Sequence, residues 1–161
     1  MATERTPDQI LDWHRWFAVR CNNDTWDLIE KEGRTSLEDR RMLDLAHAAS
    51  FHWTMAGTPL HRARADITLA RVQAQLGAGH EATKHAQLAL DYVEHSACED
   101  SDVALAHVAA ADAAAVLGDE ARHREHYQRA WDLADSLAEA EDRAIVRADP
   151  DRIARPPGWD R

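Results

Sequence analysis

Cysteine is nearly absent from this chain: only Cys21 and Cys98 occur in 161 residues. They lie far apart and belong to no paired-cysteine motif, so they are read as reduced, partly buried thiols rather than a disulfide framework. Long apolar runs are also missing. The opening stretch Met1–Gln9 is polar and lacks the apolar core of a secretion signal. No later run approaches the roughly 20 residues that span a bilayer. The expectation is a cytoplasmic protein. Basic residues are outnumbered, with 19 Lys and Arg against 29 Asp and Glu and a formal net charge of -10. Such a charge opposes phosphate backbones and anionic lipid surfaces, so neither nucleic acid nor membrane is expected as a partner. No segment alternates apolar and polar residues between turn signals, and a sheet is not expected.

What the chain has in quantity is helical spacing, over a length that can bury the core of one domain without metal or disulfide staples. Thr6, Pro7 and Gln9 combine an N-cap, a first-turn proline and a capping-box partner, which predicts a helix from there towards Glu32. After Gly33, Ser36 with Asp39 can cap a second helix, whose stripe is Met42, Ala46, Ala49, Trp53 and Ala56. Gly57, Thr58 and Pro59 then read as a stop, a cap and a restart. Ala63, Ile67, Ala70 and Ala74 mark a third helix, and Ala82, Ala86, Ala89 and Val93 a fourth beyond Gly77 and Gly79. Ser101 can cap a fifth, with Val103, Ala106, Ala110, Ala113 and Leu117 on its face, ended by Gly118. Tyr127, Ala130, Ala134 and Leu137 carry a sixth, with helical spacing that continues to about Val146. The short connections favour antiparallel neighbours. The predicted domain covers residues 1–148, with hairpins near 7–56, 59–96 and 101–138. Residues 149–161, with Pro150, Pro156 and Pro157, are read as an extended tail unless Trp159 docks.

The second hairpin can be laid over the third with a constant shift of 41 positions, which aligns Ala70 with Ala111, Leu76 with Leu117, Gly77 with Gly118, and Ala89 with Ala130. Small residues there let helix backbones approach closely, and glycine lets the chain reverse. The pattern resembles the tetratricopeptide repeat: a small residue in the first helix, glycine at the turn, alanine late in the second helix, and Tyr127 at the aromatic position. The period is longer than the usual 34 residues, the terminal proline is absent, and His123 stands where a small residue matching Ala82 belongs. The stretch Ala46–Gly77 is also similar to small bacterial proteins described as repeat-like, which implies no activity. The resemblance implies an all-α stack of antiparallel hairpins, either a right-handed superhelix or a compact bundle.

Ten histidines raise the question of metal, because Glu120 with His123, and His123 with His126, place two ligands on one helical face. Asp44 with His47, Glu81 with His85, Asp91 with His95 and Asp119 with His123 have similar spacing. For this composition roughly 3.6 acid-to-histidine pairs at such spacing arise by chance, against five in the chain, so no metal or other cofactor is expected. His47 and His52 stand in an apolar helix beside Phe51 and Trp53, where burial would shift their titration. Trp13, Trp16, Phe17 and Trp26 load the first helix with aromatic surface. They are expected as core sealing the end of the stack, with a binding wall or dimer contact as the alternative. Asn22 and Asn23 are poor helix formers at the middle of that helix and mark a bend, a buried polar link or a ligand contact. No serine elbow, paired-cysteine site or phosphate-cradling glycine loop occurs.

In the repeat the resemblance implies, the first helix of each pair lines an inner groove, which would place Arg64, Ile67, Arg71, Leu105, Val108 and Asp112 on it. Arg64 and Arg71 are seven apart, and two guanidinium groups on one inner face suit a carboxylate or an acidic peptide. Salt links to acids on an adjacent helix are the alternative for both. The function expected is a non-catalytic adaptor that binds a protein or peptide, with homodimer formation open. The alternative is a small metal-dependent or ligand-binding helical enzyme built on histidines, with Asn22, Asn23, His47 and His52 as its site.

Overall fold

The computed structural model describes residues 5–160. Three hairpins follow one another: α1 (Pro7–Ile29) with α2 (Ser36–Ala56), α3 (Pro59–Gln75) with α4 (Gly79–His95), and α5 (Asp100–Leu117) with α6 (Glu120–Ser136). A short α7 (Ala140–Ala148) and one 3-10 turn (Pro150–Arg152) complete the chain. Each helix packs on the next, and α1, α3 and α5 also touch in succession. The fold is all-α, in adjacent helical hairpins, with no strand among the described residues.

Local chemistry explains where the helices begin and end. Thr6 caps α1 and Gln9 reaches back to its backbone N–H, as the sequence predicts. α1 ends at Ile29, three residues before Glu32, because the Arg34 side chain folds back and donates to the carbonyls of Leu28, Ile29 and Lys31. The second cap is displaced by one residue from the predicted Ser36–Asp39 pair. Thr35 and Glu38 form the box instead, and Asp39 is held by Arg34 at 2.8 Å. At Thr58 the reciprocal partner is the ring of His61, whose Nδ1 accepts from the Thr58 N–H at 3.2 Å. The fifth helix starts at Asp100 rather than behind a Ser101 cap.

The repeat shift reappears in the backbone. Gly77 and Gly118 adopt left-handed φ values of 76° and 72°. The next residues, Ala78 and Asp119, donate to Gln73 and Ala114. Both turns are therefore the same helix-ending motif, 41 positions apart. Ala70, Ala89, Ala111 and Ala130 are wholly buried. Ala70 and Ala89 meet Ile67, Leu90, Val93 and Ala106 where α3, α4 and α5 converge. Alanine allows these backbones to approach closely, and a larger side chain would force them apart. Ala89→Leu is expected to destabilise the fold by about 1 to 3 kcal/mol. An unchanged urea midpoint would place Ala89 outside a close helix contact.

The C-terminal region departs from the predicted course. The sixth helix does not run on to Val146. The backbone turns extended at Leu137, and Arg143 from α7 donates to the carbonyls of Leu137 and Ala138. This lets α7 fold back, so that Val146 packs against Ala104, Leu133 and Ala134. Residues 149–160 then lie along α6 instead of projecting as a tail. Ile153 joins Val108, Ala111, Tyr127 and Ala130 in a core cluster, and the Trp159 ring meets Tyr127 edge-on at 4.8 Å. His123 has a role here that a small residue could not supply: its buried ring reaches the Ala154 carbonyl at 2.8 Å.

Candidate functional site

Because α1, α3 and α5 touch in succession and the C-terminal segment folds back towards them, the inner side of the stack becomes a cleft of about 480 Å³. Ile67 and Leu105 form part of its apolar surface, as do Trp26 from α1 and Val146 from α7. Thr68 donates to Asn22 across the α1–α3 junction at 3.3 Å. On one side Arg64 grips Asp102 with two parallel bonds, Nε to Oδ1 at 2.7 Å and Nη2 to Oδ2 at 2.9 Å. Asp102 is buried while Arg64 remains about half exposed, so the pair presents its cation outward. On the other side Arg152 bonds Glu30 of α1 at 2.8 Å, tying the C-terminal segment across the cleft. Asp149 also lines the cleft, 3.5 Å from Arg152 and 4.0 Å from Arg71, and its burial pushes its carboxyl above the usual aspartate range despite both cations.

Of the six groove residues predicted, Arg64, Ile67 and Leu105 line the cleft, and Arg71, Val108 and Asp112 do not. Arg71 is only 1% exposed and lies among carboxylates, with Asp112 at 2.9 Å and Asp149 at 4.0 Å. Its Nε and Nη2 have no hydrogen-bond partner in the structure. The physical reason is the folded-back segment, which covers this part of the inner face with Asp149 and Ile153. Burial outweighs Arg71 at Asp112 too and raises its carboxyl pKa. Arg64 and Arg71 are thus both engaged by internal carboxylates, and Arg71 cannot serve as a groove anchor. Arg71 and Asp112 occupy equivalent positions of successive repeats, 41 residues apart. Opposite charges at aligned positions were a readable signal for that pair. Nothing comparable pointed to Glu30, Val146, Asp149 or Arg152.

The alternative residue set disperses. Asn22 joins the cleft, while Asn23, the next residue round the helix, is exposed, and α1 continues unbroken through both. His47 is exposed on α2, because the alanines around it do not place it between helices. His52 is half-buried and pairs with His14, Nδ1 to Nδ1 at 2.8 Å, and its burial lowers its pKa. A second histidine pair, His107 with His126 at 3.0 Å, joins α5 to α6, and burial pushes His107 down to about 4. None of these histidines lines the cleft. His85 bonds Asp66 of the preceding helix rather than Glu81. Among the described residues, no group of three or more His, Cys, Asp or Glu side chains is placed to hold a metal ion. No described helix is long and apolar enough to cross a membrane.

The aromatic residues of α1 also depart from expectation. Trp26 packs partly into the core around Met42 and Leu69, but Trp13, Trp16 and Phe17 are 45%, 55% and 40% exposed. They do not seal the stack, because the buried side of α1 runs through Ala18, Thr25 and Ile29.

Comparison of the chain with family models, curated proteins and solved structures finds no match in any of the three.

Proposed function

We propose that this protein is a non-catalytic binding module of tetratricopeptide-like build, which takes a short segment of a partner protein into the cleft between α1, α3, α5 and the C-terminal segment. The observation that carries this reading is convergence: three successive hairpins and the folded-back chain end contribute side chains to one cleft. Its volume falls within the ~300–1,000 Å³ typical of ligand pockets. The Arg152–Glu30 bond crosses the inner face, so a short segment fits better than a long peptide laid along the groove. Its charged groups are held in ion pairs, which suits recognition more than proton transfer. Ile67 and Leu105 supply apolar contact, and the half-exposed Arg64, oriented by Asp102, supplies a charge-assisted contact for a carboxylate on the segment. A cytoplasmic setting fits two free cysteines that are each partly buried.

The test is a titration with short synthetic peptides that combine an apolar side chain and a carboxylate, followed by amide chemical shifts. Saturable shifts are expected at Asn22, Thr68 and Leu105. Leu105→Trp, which fills the cleft from a partly buried position, is expected to abolish them while the circular dichroism spectrum is retained. Shifts confined to α4 or α6, or unchanged in Leu105→Trp, would move the site elsewhere.

A further inference from the structure

The first hairpin presents an apolar face that no described residue covers. On α1, Ile10, Trp13, Trp16 and Phe17 recur at helical spacing, and on α2, Phe51 and Met55 stand one turn apart, all between 40% and 56% exposed. Ring contacts join the aromatic members across α1 and α2. Trp16 and Trp13 lie 4.9 Å and 6.0 Å from Phe17, Phe17 stacks on His52 at 5.3 Å, and His14 meets Phe51 at 6.0 Å. Arg5 lies over the Trp13 ring at 5.4 Å and shields only its edge of the patch. The exposed apolar area of these six side chains is on the order of 600 Å², at or above the largest patch a monomer usually shows.

We infer that this face pairs with the same face of a second copy of the chain, joining two first hairpins about a twofold axis into a four-helix contact. Area is the first argument. Two such faces would together bury about 1,200 Å², the lower bound for a specific, stable interface. Charge is the second. The chain as a whole carries -10, which makes copies repel one another. The segment from Leu45 to His61 contains no Asp, Glu, Lys or Arg at all, and Arg5–Arg20 contains three arginines against two aspartates. Arg15 and Asp12 already neutralise each other at 3.2 Å. Here two copies can meet without the repulsion that separates them elsewhere. Geometry is the third: an isologous contact sets α1 and α2 against their own equivalents, in the helix-on-helix packing that the hairpins of this fold already use. The contact is independent of the cleft, since none of these residues lines it.

The test is sedimentation velocity and light scattering on the full chain from low to high micromolar concentration. A saturable species of twice the 18.1 kDa chain mass is expected. Trp16→Asp, a substitution at an exposed position, is expected to weaken pairing at least about thirtyfold, as loss of an interface anchor does. Circular dichroism of Trp16→Asp should match wild type, and Met55→Lys provides a second, independent variant with the same expected loss. Raising salt should leave pairing unchanged or strengthen it by screening the net charge. A monomer at every concentration would overturn the inference, and would leave this face to a different protein or to another segment of chain. A dimer that persists in both variants, or one dissolved by salt, would also overturn it by placing the interface on other residues.

Discussion

Replacing Arg71 with leucine is expected to lower stability at neutral pH by about 3 to 5 kcal/mol, which places it among the most damaging single changes available to this chain. The guanidinium is wholly buried between Asp112 and Asp149, and its removal takes away the cation paired with Asp112 and one of the two beside Asp149, the other being Arg152 at 3.5 Å. The size of the effect comes less from the worth of the ion pair than from the cost of the uncompensated charge left behind. That origin gives the change a pH signature. Both aspartates titrate above their ordinary value of 3.8 in the folded protein because burial disfavours the charged form. A raised folded pKa means that the folded state holds its proton more tightly than the unfolded chain. The associated stability is present below pH 3.8 and is lost as pH rises through the raised values. Without Arg71 those values rise further, so the deficit of the variant is largest at neutral pH and narrows as pH falls towards about 4. Urea unfolding of both proteins across this range measures it. A deficit of equal size at both ends would mean that lost packing, and not stranded charge, is responsible.

Tyr127→Ala is expected to cost a further about 3 to 5 kcal/mol when made alone, as removal of a wholly buried aromatic does. Tyr127 also holds the C-terminal segment. Its hydroxyl donates to the Pro150 carbonyl at 3.2 Å, and Trp159 packs edge-on against its ring. The conservative Tyr127→Phe keeps the ring and loses only the bond, for an expected cost of about 1 kcal/mol. The two variants therefore separate packing from tethering. In Tyr127→Ala the segment beyond α7 should become sensitive to protease, because both of its aromatic anchorages are gone. The cleft should lose one wall at the same time, since Asp149 and Arg152 both belong to that segment. Loss of stability with no gain in protease cleavage after residue 148 would show that Ile153 and His123 hold the segment without Tyr127.

The readable parts of this protein have short-range causes. The caps at Thr6 and Thr58, the turn glycines and the alanine stripes all act within one or two helical turns, where spacing and side-chain chemistry are decisive. The constant shift of 41 positions extended that reach to one neighbouring hairpin, aligning Ala70 with Ala111 and Gly77 with Gly118. Small misplacements arose where two residues competed for one role, as when Thr35 rather than Ser36 became the cap because Glu38 reaches back to it and Arg34 takes Asp39.

Sequence alone thus determined the helical class, the three hairpins and the part of the cleft contributed by Arg64, Ile67 and Leu105. Tertiary structure decided the rest. Whether Arg71 faces solvent depends on a segment more than 70 positions away, and that segment folds back through contacts such as Arg152 with Glu30, 122 residues apart. No local pattern encodes such a pairing, because its free energy exists only once the intervening hairpins have brought the partners together. The same holds for the first hairpin. Helical spacing announces an apolar stripe on α1, but which side of it is buried depended on where α2 and α3 pack against it. That packing buried Ala18, Thr25 and Ile29 and left Trp13 and Trp16 in the open.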